Sequence, residues 1–524
     1  MDWADPSIVS SPHPTHTLVT LPADVLHLVL AELYDLPEEH GRYDFEVCKG
    51  RSLLPLSESC WYLRGQTLPW IFHEVYNWSR PDGAIWPETL LSLFRTVHIR
   101  DRSIRNAQNI LLSSGLYDAL PMMRSLTNVT LRLDQPVPAE LLHALSQAQL
   151  TSLEIHQARL DGTADYSSLP FSILDSLSIC IAGFGFEGVV RSEDIDRVRE
   201  TKNVATLLKN FSHSLCMFQI SGDLLSPDFL SLRWPKLRKF TITEHTPTLF
   251  IPVPDLVSQM PALRELSVLY CPDSSRDWNA GEGCPPFRLG TATGGLLTSC
   301  CPHLVSVTLS NLESGDPIFA QLPHGLQSLH LLAKGDGSFP VFGKPRQLLE
   351  AALTHTTALT ALENISHLAD LTELSLTLET FVTAVLIHCV ASFFPRLRFL
   401  ELGNSTYLYG ALSPPDFRDP TILEALQCFP LLTDLRISLN FPDLVMNQHV
   451  PHRRAARWLL DGLPNLRTVA FSWEQDGQKH GSDLLVWRVW DRSVFQCPPS
   501  PSLPTREPTP WIIEPAIPLP DDYD

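Results

Sequence analysis

The Gly-rich stretch GFGFEG at residues 183–188 has a spacing that could bind a nucleotide. It satisfies G-x-G-x-x-G and follows the apolar run SLSICIA, as a dinucleotide-binding loop would. However, the next residues, VVRSEDIDRVRE, are charged early, and no strand ending in an acid follows about twenty residues later. We therefore expect a loop between structural repeats, and an enzyme that uses this loop is the third hypothesis considered for this chain.

Other local chemistry is weak. Eleven cysteines show no paired zinc spacing, and the adjacent Cys300 and Cys301 are awkward ligands for one zinc ion. No P-loop, H-E-x-x-H or G-x-S-x-G string occurs, and nineteen histidines lack an acid or nucleophile at fixed spacing. We expect a protein that is not an enzyme, with no catalytic residue, no cofactor and no metal.

Charge and hydropathy bear on the possible partners. The formal net charge of −19 repels a phosphate backbone, and no basic stripe is visible along the sequence, so we expect no nucleic-acid partner. The apolar stretch FVTAVLIHCVASFF at residues 381–394 is about five residues too short for a bilayer span. It predicts a buried helix and no membrane contact. The N-terminus lacks a secretory pattern, which favours the cytoplasm or nucleus.

A phrase of the form Leu-x-x-Leu-x-apolar recurs twelve times in the sequence. In several copies a proline lies two residues before the first leucine. The first leucines are Leu126, Leu150, Leu174, Leu215, Leu237, Leu263, Leu304, Leu326, Leu371, Leu397, Leu432 and Leu466. Successive copies are separated by 22 to 45 residues. The short separations match one leucine-rich repeat of 20–29 residues, and the longer ones match a repeat with an insertion.

Each phrase ends in alternating apolar residues, as a short strand with one buried face requires. Stacked copies would form a parallel sheet, with helices such as TILEALQCFPLL and HRRAARWLLDGLP on the convex side. The alternative is an amphipathic helix, in which leucines three residues apart share a face. Two features favour strands. The phrases end in β-favouring residues, such as KFTI and SVTL, and the proline that often opens a phrase would break a helix.

The chain thus resembles leucine-rich repeat proteins over about residues 94–475, counting a first unit at FRTVHI. The resemblance implies an irregular α/β solenoid of about twelve or thirteen units. The asparagine that the family places after the strand occurs only sporadically, at Asn311, Asn404 and Asn440. The turns are therefore expected to vary. Long gaps after Leu174, Leu263 and Leu326 predict projecting loops, where we would first look for a partner surface.

Ahead of the repeats, LPADVLHLVLAEL at residues 21–33 predicts an amphipathic helix that begins after Leu-Pro. After a polar insertion, SLLPLSESCWYLRGQTLPWIF at residues 52–72 repeats the apolar helical pattern and ends in aromatic residues. Together they predict a compact helical hairpin. A repeat solenoid needs its terminal core covered, so a plain N-terminal cap is one interpretation of this hairpin.

The hairpin also resembles the F-box, the helical module that docks ubiquitin-ligase receptors on the Skp adaptor of cullin complexes, and fungal F-box proteins in particular. The matching positions are Leu21, Pro22, Val25, Leu26, Val29, Leu33, Leu54, Leu56, Cys60, Trp61, Leu63 and Leu68. All of them except Trp61 and Leu68 are predicted adaptor-binding residues by this resemblance. Two departures are the long insertion from Tyr34 to Arg51 and the pair Glu58-Ser59 in place of a hydrophobic pair.

The predicted organisation is a disordered N-terminus (1–17), an F-box-like helical module (18–80), the repeat solenoid (90–475), a C-terminal cap (476–495) and a Pro-rich tail (496–524). In the tail, Trp511-Ile512-Ile513 is either a docking motif or a cover for the last repeat. The resemblance implies a substrate-recognition adaptor of an SCF-type ubiquitin ligase, which binds the Skp adaptor, the cullin complex and an unknown substrate protein. The alternative is a repeat scaffold without ligase coupling.

Overall fold

The computed structural model forms two compact units. The first contains the described residues up to Leu133 together with Glu140–Ser152, and the second contains residues 136–139 and those from Leu153 onward. The described residues are 21–34, 53–76, 86–100, 114–133, 136–156, 160, 166, 169, 171, 173–180, 197–245, 251–271, 289–290, 297–333, 353–379, 382–404, 419–439, 450–473 and 486–492.

The first unit combines helices with short parallel strands. Its strands are β1 (Glu74–Tyr76), β2 (Thr96–Arg100) and β3 (Asn128–Arg132), paired in that order. Its helices are α1 (Ala23–Tyr34), α2 (Leu54–Ser59), α3 (Trp61–Ile71), α4 (Glu88–Leu91), α5 (Ser114–Ala119) and α6 (Ala139–Gln147), with a 3-10 helix at Leu120–Met122.

In the second unit the sheet neighbours follow the order of the chain. The strands are β4 (Ser152–His156), β5 (Ser176–Cys180), β6 (Met217–Ser221), β7 (Lys239–His245), β8 (Glu265–Cys271), β9 (Ser306–Ser310), β10 (Ser328–Leu332), β11 (Glu373–Leu378), β12 (Phe399–Asn404), β13 (Asp434–Ile437), β14 (Thr468–Trp473) and β15 (Val486–Asp491). Ser152, the first residue of β4, belongs to the first unit. From β5 to β14 the pairing is parallel.

Helices separate most of these strands, as is usual for the crossover connections between parallel strands. They are α7 (Arg197–Phe211), α8 (Pro227–Leu230), α9 (Val253–Leu256), α10 (Leu297–Cys300), α11 (Ile318–Gln321), α12 (His355–Asn364), α13 (Ala384–Phe393), α14 (Pro420–Leu426) and α15 (Val450–Gly462), with a 3-10 helix at Gly222–Leu224. The α/β class and the long parallel-strand sheet expected from the sequence are confirmed, and they agree with a leucine-rich repeat architecture.

The recurring leucine sets the position of each strand. In all twelve predicted phrases it lies two residues before the first residue of a strand, β3 to β14, and its side chain is at most 3% exposed. The second residues of neighbouring strands are then paired, as Phe240 with Leu266 and Leu266 with Val307. The phrase was therefore correctly interpreted as strand, and the helical alternative was wrong.

Backbone hydrogen bonds repeat with the same period. The carbonyl before one strand accepts hydrogen bonds from two amides at the start of the next strand. Arg264 O, for example, accepts from Val305 N at 2.9 Å and from Ser306 N at 3.0 Å. His73 O does the same with Arg95 N and Thr96 N. From β6 to β14, each strand is thus aligned by the strand before it.

The sheet begins earlier than the phrases indicate. β1 pairs in parallel with β2, and Phe72 lies two residues before β1, in the position that leucine holds elsewhere. The segment FHEVY was predicted to lie within the helical module of residues 18–80, whose apolar helical pattern ends at Phe72. A phenylalanine in the leucine position and a strand of three residues explain why the pattern search missed this first copy.

The last described strand reverses direction, since β15 pairs antiparallel with β14. Arg492 follows it, and its guanidinium donates hydrogen bonds to the carbonyls of Leu460, Leu463 and Leu466 at 2.5 to 2.8 Å. These bonds satisfy carbonyl groups at the end of α15 and the turn after it, where a helix leaves acceptors unpaired.

Several predictions fall outside the described residues. They concern GFGFEG, the polar insertion after Tyr34, most of each loop after Leu174, Leu263 and Leu326, and both predicted terminal segments, 1–17 and 496–524. The apolar stretch at 381–394 contains α13, which buries Leu386, Ile387 and Val390. Among the described residues, none of the helices combines the length and the apolar character that a bilayer span requires.

Candidate docking surface of the N-terminal helices

The N-terminal module has three helices where the sequence predicts a hairpin of two. The second predicted helix divides at Cys60, whose backbone is extended (φ −161°, ψ 162°). Cys60 caps α3, because its sulfur accepts a hydrogen bond from Leu63 N at 3.5 Å. The cap satisfies one of the amides that the start of a helix leaves free, so the break between α2 and α3 is stabilised locally.

A small core joins the three helices. Its buried members are Leu26, Leu30, Leu53, Leu63 and Ile71, each at most 5% exposed. Thr67 is also fully buried, and its hydroxyl donates a hydrogen bond to Leu63 O at 2.9 Å. The buried hydroxyl is therefore not left without a hydrogen-bond partner, which would destabilise the fold. Apolar burial of this kind contributes about 1.5–3 kcal/mol for each large side chain.

The same helices leave five large apolar side chains in solvent. Their exposed fractions are 38% for Val25, 64% for Leu28, 42% for Leu54, 86% for Trp61 and 43% for Tyr62. We call these five residues the apolar module surface. They make up half of the ten exposed large apolar side chains in the described part of the chain. These five lie close together in the sequence, between residues 25 and 62, whereas exposed apolar residues that occur singly are normal at protein surfaces.

Trp61 dominates this surface. It is the first residue of α3, and the guanidinium carbon of Arg64 lies 5.8 Å from the centroid of its ring. Tryptophan, tyrosine and arginine are the residue types that most often carry the binding energy of protein interfaces. A nearly fully exposed Trp61 beside Tyr62 and Arg64 therefore has the composition of an interface anchor.

The structure separates the ten predicted adaptor-binding residues by burial. Leu26 and Leu63 are core residues. Partly buried residues packed against that core are Leu21, Leu33, Leu56 and Cys60, and Val29 is also partly buried. Pro22, Val25 and Leu54 are exposed. Three predicted residues are thus accessible to a partner, and the others support the helices that present them.

Leu28 and Tyr62 were not among the predicted residues. A signal for Leu28 exists in α1, since apolar residues at 25, 26, 28, 29 and 30 exceed what one buried stripe of a helix accommodates. The apolar residues that do not fit on the buried stripe must face solvent or a partner. For Tyr62 no comparable local signal is present, because its exposure depends on how α3 packs against α1 and α2.

The module is continuous with the first repeat. Phe72 stacks on Phe94 with ring centroids 6.0 Å apart, and Trp86 contacts both rings edge-on. Phe94 is fully buried. The end of α3 therefore closes the core of the first repeat, as a solenoid cap does. This covering role uses the buried side of the module and leaves the apolar module surface accessible.

A row of polar residues runs across the sheet, and its member Ser375 is only 1% exposed. The third residues of β10 to β13, namely His330, Ser375, Glu401 and Arg436, are consecutive neighbours across the strands. We call this row the polar ladder. Glu401 accepts a hydrogen bond from the Ser375 hydroxyl at 3.0 Å and from Arg436 at 3.1 Å. Burial lowers the pKa of His330, although the nearby carboxylates of Glu401 and Glu373 oppose this shift.

Comparisons with known proteins show limited similarity. No protein-family model and no curated protein matches the chain. Solved structures that are similar include the TLR13–ssRNA13 complex, with 15% identity, a TM-score of 0.37, and coverage of 71% of this chain and 44% of that chain. The yeast Rad7–Elc1 complex has 14% identity, a TM-score of 0.36, and coverage of 80% of this chain and 90% of that chain.

The Drosophila Toll–Spatzle complex is a further similar structure, with 13% identity and a TM-score of 0.29 over 75% of this chain and 54% of that chain. This chain thus spans less than half of the TLR13 chain and about half of the Toll–Spatzle chain. Similarities at these values are too low to assign a function.

Proposed function

We propose that this protein is a non-enzymatic substrate-recognition adaptor of an SCF-type ubiquitin ligase. In this function the N-terminal helices bind a Skp-type adaptor protein and the repeats bind a target protein. The observation that supports it best is the apolar module surface, because it lies on the helices that resemble an F-box. The F-box-like residues Leu26 and Leu63 hold these helices together, while Val25, Leu54 and Trp61 stay exposed.

The exposed side chains give the docking a physical basis. Fully burying one large apolar side chain in an interface stabilises it by about 1.5–3 kcal/mol before the costs of association. Trp61 and Tyr62 are the expected anchors, since a large rigid ring loses little conformational entropy when it binds. Leu28 and Leu54, which are 64% and 42% exposed, add apolar area on α1 and α2 that a partner can bury.

Catalysis would take place elsewhere in the ligase. The repeats would hold a target near the conjugating enzyme and thereby raise the effective concentration of its lysines, without any bond formed by this chain. The mechanism needs only two binding surfaces on one folded scaffold. The apolar module surface is the candidate for the first of them, and the repeats would supply the second.

The test is binding of the full chain to a purified Skp-type adaptor, measured by calorimetry. We expect binding by the wild type and a loss of at least about tenfold in affinity for Trp61→Ser, which removes the main anchor. Val385→Ser is the matched control, since Val385 is a 60% exposed apolar residue on α13 outside the module. No detectable binding by the folded wild-type chain would overturn the proposal.

A repeat scaffold without ligase coupling is the second candidate function. It is supported by the contact of Phe72 with Phe94, because this contact joins the end of the module to the core of the repeats. A module that serves only as a cap predicts no binding to the adaptor. It also predicts that Trp61→Ser leaves every binding property of the chain unchanged, so the same measurement separates the two functions.

A further inference from the structure

The residues immediately before β7, β8, β9 and β10 form one edge of the sheet in the second unit. Arg264 N donates a hydrogen bond to Arg238 O at 2.8 Å, and Val305 N donates to Arg264 O at 2.9 Å. Gln327 N continues the series to Val305 O at 2.9 Å. Backbone geometry therefore places the starts of four strands side by side, although they are far apart in the sequence.

Basic side chains accumulate along this edge. They are Lys236, Arg238, Arg264, His303 and His324, and all five are exposed. We call them the basic edge. The sequence scan for a basic stripe could not find them, because they come from four different phrases between residues 236 and 324. Only the stacking of the repeats brings them together, within a chain whose net charge is −19.

A cavity of about 450 Å³ opens at the basic edge. It is lined by Arg264, Thr298, Pro302, His303, Leu304, Val305, Pro323, His324 and Gly325. No carboxylate is among these lining residues. The nearest acid along the chain, Glu265, has its carboxylate 3.2 Å from the ammonium group of Lys239. The cavity thus combines a cation, ring nitrogens and a hydroxyl with apolar walls of proline, leucine and valine.

We infer that this cavity binds an anionic side chain, a carboxylate or a phosphate, presented by an acidic segment of a partner protein. The Arg264 guanidinium is the expected main donor, because its planar fork matches both kinds of oxyanion. Thr298 and His303 supply further hydrogen-bonding groups, and so does the Nε2 of His324, whose Nδ1 lies 3.5 Å from His367 O. Pro302, Pro323 and Leu304 suit an apolar residue next to the anion. The inference deepens the proposed function, since it names the chemistry of the target.

A peptide suits the site better than a nucleic acid. A phosphate backbone requires many cations to offset its charge, and each lost contact lowers affinity and salt dependence. Here the cations form one short cluster on a strongly acidic chain, which repels a long polyanion. A volume of about 450 Å³ with apolar walls is in the range of pockets that take a compact ligand group, whereas a long polymer would extend beyond it.

The test uses the full chain and fluorescein-labelled peptides that carry three consecutive glutamates, phosphoserines or glutamines. Fluorescence anisotropy at low salt should show binding of at least one anionic peptide and weak or no binding of the glutamine peptide. Arg264→Glu should reduce the affinity by about tenfold, because it replaces an attractive charge with a repulsive one. Which anionic peptide binds more tightly distinguishes a carboxylate from a phosphate.

Arg467→Glu is the matched control, since Arg467 is exposed and holds the same position before β14 that Arg264 holds before β8. It should leave the affinity within twofold. Equal binding of all three peptides, or an equal loss in both variants, would contradict the inference. So would Arg264-dependent binding of a single-stranded oligonucleotide that exceeds peptide binding. Because no Skp-type adaptor is present, failure of the proposed ligase coupling would not affect the outcome.

Discussion

The guanidinium of Arg436 on β13 donates a hydrogen bond to the carboxylate of Glu401 on β12 at 3.1 Å. Its carbon also lies 5.2 Å from the ring centroid of Phe399, so one cation contacts both a charge and an aromatic face. Glu401 is 18% exposed and Arg436 is 37% exposed. The pair is therefore partly shielded from solvent, unlike most ion pairs at protein surfaces.

Glu401→Gln should lower the free energy of unfolding by about 0.5–1 kcal/mol, because it removes the charge but keeps an acceptor for Ser375. Urea denaturation at constant ionic strength measures the change. Glu265→Gln is the matched control, since Glu265 forms an ion pair with Lys239 in which both side chains are about half exposed. A larger loss from the control would show that shielding does not strengthen the Glu401 pair.

The stability of the polar ladder should depend on pH through His330. Burial lowers the pKa of His330 in the folded chain, so the unfolded chain binds more protons near and below the ordinary value of 6.5. Stability then falls as pH decreases through that value and is restored as pH rises above it. His330→Gln should lose less stability than the wild type between pH 7.5 and pH 5.5, measured by thermal unfolding. An identical loss in both proteins would contradict this origin.

Cys301 should resist alkylation in the folded chain. Burial raises its pKa to about 12, and Cys300 nearby contributes in the same direction, so little thiolate exists at pH 8. The side chain is also inaccessible. Cys428 is exposed and provides the internal comparison. Peptide mass spectrometry after brief iodoacetamide treatment should find Cys428 modified and Cys301 intact, and early modification of Cys301 would show that its repeat opens readily.

Burial predicts opposite consequences for two neighbours on α1. Leu26→Ala should destabilise the chain by about 2–5 kcal/mol, because it leaves a cavity in the module core. Val25→Ala should change stability by less than about 0.5 kcal/mol, since Val25 is 38% exposed. Under the proposed function only Val25→Ala weakens adaptor binding while the module stays folded. Circular dichroism and calorimetry together separate the two effects.

Asp316 should be essential for the repeat that contains β9. Its buried carboxylate accepts hydrogen bonds from the backbone amides of Leu289, Gly290 and Ile318. Asp316→Asn introduces donors where three amides need acceptors, at a cost of about 2 kcal/mol or more. Gly290→Ala should be as harmful, because an added Cβ would lie 2.2 Å from Ile318 N. Urea denaturation measures both, and a neutral effect of Asp316→Asn would contradict the assigned role.

The sequence was sufficient for most of the sheet because each strand carries its own signal. A leucine two residues before an alternating segment must be buried, and the stacked neighbours leave only one register that buries it. The first strand lacked that leucine. Phe72 took the position instead, and three residues of strand are too few for a periodicity to be read.

Surfaces were predicted less well, because exposure depends on contacts between distant segments. The resemblance to the F-box identified Val25 and Leu54 but could not separate them from Leu26 and Leu63, which alternate with them in the pattern. The break between α2 and α3 and the capping of α3 by Cys60 were likewise not predicted, since cysteine is an uncommon helix cap. The basic edge consists of one or two residues from each of four repeats. A short stretch of the sequence therefore contains too few of them to indicate a basic cluster.

Strands β6 to β14 are aligned by hydrogen bonds to the carbonyl group just before the preceding strand. The length of the segment that connects two strands is therefore only weakly constrained. The entropy cost of closing a loop grows by only about 0.6 kcal/mol for each doubling of its length, and the phrases of this chain are 22 to 45 residues apart. Segments between strands can therefore lengthen, shorten or change composition in evolution while the sheet keeps its register. A lineage that inherits this chain could acquire new binding partners by insertion at the joints, without redesigning the leucines that hold the repeats together.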